Sequence, residues 1–296
     1  MNKIKEILIF VGLTTFASVS FGQSLSSGSL FDEILFNWSN SISVESMYGY
    51  RAKSDMSKGL DGDFSSQSVG ATIKIQGVSK SKKHALTSYV NYSYLDADFD
   101  SVNSPFSEIN TLSASTLYFY NFDSRWSAFG MGQISFSAED TSNWDDGMQG
   151  YFGAGAMYSF SEKFRLGFGA CAYSRIDRSW LGFPIVFIDW KITDNLSLRT
   201  FSGIALLYDV CGNEKLVLDT SIEYKNKYSR LDEGASVRDE YGEWTVGVTY
   251  KPIKNFYIGA HVGFDFGREL DFKKSTQQDI EIDVAPVFYL NVGFIL

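Results

Sequence analysis

The chain is predicted to be an all-β, antiparallel, up-and-down barrel of roughly 12 to 14 strands that crosses an outer membrane. Three observations predict it. Apolar and polar residues alternate in segments of about ten residues from Ile42 to Leu296, the period of a strand with one greasy and one polar face. The connections alternate between short and long. Aromatic residues gather at the two ends of the greasy face, with Val, Leu, Ile, Ala and Gly between them.

The first residues read as a secretory signal. Lys3 and Lys5 form a basic start, Ile7 to Ala17 an apolar stretch too short to span a bilayer as a helix, and Ser20-Phe21-Gly22 a small-residue cleavage site before Gln23. Residues 1–22 are thus expected to be removed on export. In residues 23–40, Leu30, Phe31, Ile34, Leu35 and Trp38 recur at helical spacing behind Ser27 and Ser29, which suit a cap. This segment is expected to be either a plug or a periplasmic helix, and residues 41–296 the barrel.

The strands follow in order, each with its outward residues. The first three are 42–51 (Ile42, Val44, Tyr48, Tyr50), 66–76 (Val69, Ala71, Ile73, Ile75) and 85–95 (Leu86, Val90, Tyr92, Tyr94). Next come 109–120 (Leu112, Ala114, Tyr118, Tyr120), 126–137 (Trp126, Ala128, Ile134, Phe136) and 149–160 (Phe152, Ala154, Ala156, Tyr158). Then follow 164–174, 183–191, 196–202 and 204–210; the last two are short enough to leave the count between 12 and 14. The final segments are 216–225, 241–251, 256–268 and 282–296. Tight polar turns (121–125, 161–163, 193–195, 252–255) alternate with longer loops such as 138–148, 226–240 and 269–279, which puts both termini on the periplasmic side and makes the count even. Tyr50, Phe152 and Trp244 then fall at the external end of the outward face, and Trp126, Phe160, Trp190 and Tyr250 at the periplasmic end. The last strand ends on Phe294 and Leu296, a pattern suited to recognition by the barrel-assembly machinery.

Formal net charge is -9, with acids concentrated in the longer loops and no basic stripe, which argues against a nucleic-acid partner. The expected partners are outer-membrane lipid and lipopolysaccharide. Mean hydropathy is only -0.10, as a wall that shows lipid every second residue allows. Cys171 and Cys211 lie on different elements and read as small apolar residues rather than a disulfide.

The segment Phe183 to Arg199 (FPIVFIDWKITDNLSLR) joins a proline-led apolar strand, Asp-Trp, a tight Asp/Asn turn and Leu-Ser-Leu-Arg. It resembles an uncharacterised, porin-like family of Gram-negative outer-membrane β-barrels that carries a domain of unknown function. The resemblance implies fold and location and brings no substrate or catalytic residue.

Residues opposite the greasy face are expected to line the lumen: Glu45, Arg51, Lys74, Asn91, Gln133, Arg165, Asp189, Arg199, Asp209, Asp219, Glu223, Lys225, Glu243, His261, Asp265, Glu281 and Asp283. Acids exceed bases on this face by roughly nine to five, which points to passage of small hydrophilic solutes with a preference for cations. One lumen sector is apolar instead, formed by Phe129, Met131, Tyr151, Met157, Phe183, Ile185 and Phe187 beside Gly153, Gly155, Gly167 and Gly169. It suits a hydrophobic ligand of the acyl type or the packing of a plug. A closed barrel that binds a partner is the third reading.

No enzymatic activity, cofactor or metal is expected. His84 and His261 are the two histidines. Neither is placed at the external rim beside a serine, where a barrel hydrolase needs its base. Asp96, Asp98 and Asp100 begin like a calcium loop, but Ser101 replaces the turn glycine and Glu108 comes one position late.

Overall fold

The computed structural model describes residues 40–101, 104–176, 178–200 and 203–296. The expected signal and most of the expected plug segment lie outside the described residues. Among the described residues no helix is long and apolar enough to cross a membrane.

Alternation becomes a single antiparallel meander. Its strands are β1 (Ser41–Lys58), β2 (Asp63–Val78), β3 (His84–Phe99), β4 (Glu108–Asn121), β5 (Trp126–Ala138) and β6 (Met148–Ser159). They continue as β7 (Phe164–Arg175), β8 (Arg178–Lys191), β9 (Leu196–Arg199), β10 (Ile204–Asp209) and β11 (Leu216–Arg230). The wall finishes with β12 (Ser236–Ile253), β13 (Phe256–Lys273), β14 (Ile280–Ile282) and β15 (Ala285–Ile295). Each strand pairs with its sequence neighbours, and β14 and β15 are two pieces of one stave between β13 and β1. That makes fourteen staves. Closure runs from Ser43 opposite Ile295 to Arg51 opposite Val287, so the first and last strands leave no free edge there.

Side chains divide as the period-two pattern requires. Val69, Ile73, Ile75, Val90, Val186, Val246 and Val262 stand on the outer surface, exposed. Tyr50, Phe152 and Trp244 stand toward the loop end of this belt, and Trp126, Phe160, Trp190 and Tyr250 toward the turn end. Trp244 and Phe264 stack there with centroids 6.3 Å apart.

At the loop end the strands run further than the sequence reading places them. Segment 226–240 is largely a hairpin, paired from Leu216 opposite Tyr250 to Arg230 opposite Ser236, and β13 extends to Lys273. Asp96 and Asp98 sit on β3, with Asp96 opposite Glu108, so this stretch is a strand and not a calcium loop. The cause is continued alternation. Ala97 and Phe99 turn inward and join Phe64, Phe106, Leu231, Leu270 and Ile280 in a buried cap across the loop end. Apolar burial of about 1.5–3 kcal/mol per large side chain favours the extended strand over a solvated loop.

Candidate functional site

The interior has two halves. On β1, β11–β13 and β15 it is polar. Asp265 is its centre: Arg51 Nε donates to Oδ2 at 2.5 Å, Arg268 Nη1 donates to the same oxygen at 3.2 Å, and the Ala285 amide donates to Oδ1 at 3.2 Å. Arg268 also grips Asp239 with two bonds, Nε to Oδ1 at 2.9 Å and Nη2 to Oδ2 at 2.7 Å. Both guanidinium groups lie over the buried Phe64 ring, each 5.0 Å from its centroid.

Deeper along the same strands, Lys225 Nζ lies 2.9 Å from Glu243 and 3.4 Å from Glu223. His261 Nε2 is 3.2 Å from Asp219. The Tyr289 hydroxyl donates to Glu243 and the Tyr257 hydroxyl to Glu45. Lys74 is buried on β2, diagonal to Glu45, since Glu45 sits opposite Thr72. A cavity of about 110 Å³ opens inside this half, lined in part by Arg51, Lys227, Glu243, His261 and Tyr289. It is smaller than a cavity of roughly 150 Å³ that holds a benzene.

On β3 to β8 the interior carries an apolar column, beside buried neutral polar residues such as Asn91, Ser115, Gln133 and Gln149. Phe129, Met131, Tyr151, Met157, Ile185 and Phe187 are all buried there, and they continue into Tyr89, Leu117, Phe119, Cys171, Tyr173 and Ile176. Phe183 packs against the column's edge. Phe129 and Phe187 meet edge to face at 5.2 Å. Glycines opposite the rings make this density reachable: a Cβ on Gly167 would overlap the Phe187 ring. At the turn end of β8, Asp189 lies opposite Arg199 and Arg165, with Arg199 Nε 3.4 Å from its Oδ1.

The expected lumen residues from Glu45 to Arg199, with Asp219, Glu223, Lys225, Glu243, His261 and Asp265, therefore face inward, but the charges among them are gathered into pairs rather than rings. Asp209 instead accepts from the Gly212 and Glu214 amides of the next turn, and Glu281 and Asp283 leave the inward positions to Ile280 and Ile282. Three of the tallied acids thus leave the lumen, and Arg268, from outside the tally, brings a further base together with Asp239. Arg268 and the apolar Leu270 and Phe272 were hidden from a strict alternation, and Asp239 lay in a stretch read as a loop. Gly267 takes a φ of +62°, and between Glu240 and Gly242 the register on β12 slips, so a β-bulge moves every later residue of β13 to the other face. The Phe-Gly-Arg step at 266–268 is the one sequence signal for it. His84 sits at the turn end, 2.7 Å from the Tyr118 hydroxyl, and His261 is mid-strand; the two lie on strands far apart around the wall.

The wall is not equally tall. β9 has four residues and β10 six, and on either side of them β8 and β11 rise well beyond. Toward β9, β8 pairs only through Asp189, Trp190 and Lys191, followed by Thr200 donating its amide to Ile188 O at 3.1 Å. Toward β10, β11 pairs no further than Ile222. The outer part of β11 instead leans into the barrel. Tyr228 O accepts from Gln149 Nε2 at 2.8 Å, Arg230 O accepts from the Glu139 amide at 2.8 Å, and Tyr228 is buried against the apolar column.

A family model described as "Domain of unknown function (DUF6268)" matches residues 38–295, and the chain belongs to that family. No curated protein sequence matches. Among solved structures, the COG4313 outer membrane channel from Pseudomonas putida F1 is similar with a TM-score of 0.47 and 10% identity, over 87% of this chain and 96% of that one. The Pseudomonas putida toluene transporter TodX is similar with a TM-score of 0.43 and 8% identity, over 87% of this chain and 89% of that one. The KdgM porin gives 0.36 and 12%, over 84% of this chain and 98% of that one.

Proposed function

We propose that this member of the DUF6268 family spans an outer membrane as a channel whose cargo is apolar. The exposed belt of aliphatic residues between two aromatic bands supports the membrane placement, because water offers no reason to expose so much apolar surface in one ring. The column from Met157 through Phe129, Phe187 and Ile185 to Tyr173 is the observation that carries the choice of cargo. It runs along the inner face of β3 to β8, where the buried polar residues beside it are almost all neutral and Asp189 lies at its turn end.

The alternative is passage of small hydrophilic solutes, which the acidic lumen face favours in the sequence. What supports it is the polar-lined cavity of about 110 Å³. Against it stand the pairings. Asp265 and Asp189 each hold an arginine, Glu243 and Glu223 share Lys225, and Asp219 faces His261, so most of the lumen charge is engaged rather than free to select an ion. A closed barrel that only holds a partner is the third possibility and would share that pairing.

The test is binding of the fluorescent apolar probe 1-N-phenylnaphthylamine to the purified barrel in a polymer belt. A saturable rise in emission, weakened at least several-fold by Phe187→Asp in a barrel that still folds, is the expected result. Emission that rises only linearly with probe, as for partition into the belt, would overturn the reading.

A further inference from the structure

We propose that the cavity in the polar half of the barrel binds a small carboxylate anion, with Lys227 and the Ser66, Ser68 and Ser93 hydroxyls as its donors. The inference stands apart from the apolar-cargo reading, since the cavity and the apolar column lie on opposite faces of one strand segment.

The outer arm of β11 is that segment. Its even residue Tyr228 is buried in the apolar column, while its odd residues Lys225, Lys227 and Ser229 line the cavity of about 110 Å³. Successive side chains of a strand point to opposite faces, so an arm drawn into the barrel presents a different chemistry to each compartment. Hydroxyls seal the seam to β5: Ser137 bonds Ser229 at 2.8 Å and Thr111 at 2.9 Å. On the other wall, small side chains of β1 to β3 leave the room. Gly49 lies opposite Ser68, and Gly70 opposite Ser93. The apolar cap contributes Phe106, Ile109 and Val237 to the lining at the loop end.

The groups left unengaged in this cavity are donors. Lys227 stands directly opposite Asp239 in the β11–β12 ladder, yet both oxygens of that carboxylate are taken by Arg268. Asp265 holds Arg51 and Arg268, and Glu223 and Glu243 share Lys225. Lys227 rests instead over the Tyr241 ring, 5.9 Å from its centroid, and makes no ion pair among the described residues. The hydroxyls of Ser66, Ser68 and Ser93 likewise make no side-chain hydrogen bond among the described residues. An ammonium only donates, and a hydroxyl donates or accepts. A ligand that meets all of them must bring acceptors, and a negative charge answers Lys227. Arg51, Lys225, Lys227 and Arg268 balance the four acids of the lining, so a halide drawn by charge alone gains little. Size sets the rest. A cavity of roughly 150 Å³ holds benzene, so about 110 Å³ takes about four or five heavy atoms, those of acetate or propionate. The carboxylate belongs with Lys227 and the serines, and the alkyl end with Phe106, Ile109 and Val237.

Saturation-transfer NMR tests this with sodium propionate as the probe, on the purified, folded barrel in a deuterated non-ionic detergent and carboxylate-free buffer. Saturable transfer to the methyl protons is the expected result. Lys227→Met keeps the length of the side chain without its charge and should weaken binding about tenfold, as loss of a charged hydrogen bond implies. Ser68→Ala with Ser93→Ala should weaken it several-fold. Ser93→Leu fills the cavity from β3, where Gly70 leaves space opposite, and should abolish it. Acetate should displace the probe, whereas equal concentrations of sodium chloride or propionamide should not. No saturable transfer, or transfer unchanged by Lys227→Met or by Ser93→Leu, would overturn the site. Displacement by chloride or propionamide as readily as by acetate would overturn the carboxylate assignment. Should Lys227→Met fail the gel-shift test of folding, Ser93→Leu and the competitors decide alone. Propionate binding without saturable 1-N-phenylnaphthylamine binding would remove the cargo reading and leave this site; the reverse would remove the site alone.

Discussion

Removing the Asp265 carboxylate should be among the most damaging single changes in the barrel. Asp265 is 1% exposed, and its partners Arg51 and Arg268 are 4% and 6% exposed. Asp265→Ala leaves two buried guanidinium groups over one Phe64 ring with no carboxylate between them. Arg268 keeps Asp239, but Arg51 keeps only the Phe64 and Asp283 carbonyls, at 3.1 and 3.2 Å. Breaking a buried pair in this way costs about 3–5 kcal/mol, and the orphaned Ala285 amide adds to it about 1–3 kcal/mol. If the cost comes from uncompensated charge, removing the charge should restore stability. Arg51→Met with Asp265→Leu should therefore recover the charge penalty and keep only a cost of about 1–3 kcal/mol from the orphaned Ala285 amide, since buried ion pairs replaced by apolar groups are often near neutral. The assay is urea-dependent folding into lipid vesicles, followed by tryptophan emission and by the gel shift of folded against boiled protein. A loss below about 1 kcal/mol for Asp265→Ala, or a double variant no better than the single one, would refute the reasoning.

Other outcomes follow from separate parts of the structure. Leu117→Ala should cost about 2–5 kcal/mol by the same unfolding assay, because the side chain is 1% exposed inside the apolar column. Gly247→Val should lower the yield of folded barrel, since any Cβ there overlaps the His261 ring, and overpacking of this kind costs about 1–3 kcal/mol. In the β4–β5 turn, the backbone amides of Trp126 and Arg125 hold the Asp123 carboxyl below its usual pKa. A depressed folded-state pKa contributes stability above the unfolded value and loses it as pH falls through the folded one. Asp123→Ala should thus destabilise at neutral pH and flatten the acid limb of the stability profile. Deleting Gly293 to Leu296 removes pairs to both β1 and β13, including Phe294 with Val44 and with Phe256. The surface-exposed, heat-modifiable fraction in cells should fall sharply; wild-type levels would show that the last strand does not close the wall.

Much of the wall was legible because period two is a local property. Ile73, Val90 and Val246 are outside and Glu45, Asp219 and His261 inside for reasons contained in ten residues each. The brevity of β9 and β10 was legible too. What was not legible depends on single-residue shifts or on distant contacts. The bulge at Gly267 reverses the faces of β13 and brings Arg268 to Asp265. The inward lean of β11 depends on Gln149 and Glu139, some eighty to ninety residues away, and no pattern within 226–240 announces it. That lumen charges could pair was legible, but not which ones, for the same reason: a count of acids and bases does not say which of them meet. Residues expected in loops, such as Asp239, turned out to hold the network together.

Ionic conductance tests the central claim most directly. A barrel whose charges are paired and whose other half is an apolar column should insert into a planar bilayer without opening a steady ion-conducting path. Repeated insertions of purified, folded protein in 1 M salt are therefore expected to leave the current at the level of the bare membrane. Regular, stable current steps with cation preference, abolished by Asp219→Asn with Glu243→Gln, would contradict the account and return the barrel to the passage of hydrophilic solutes.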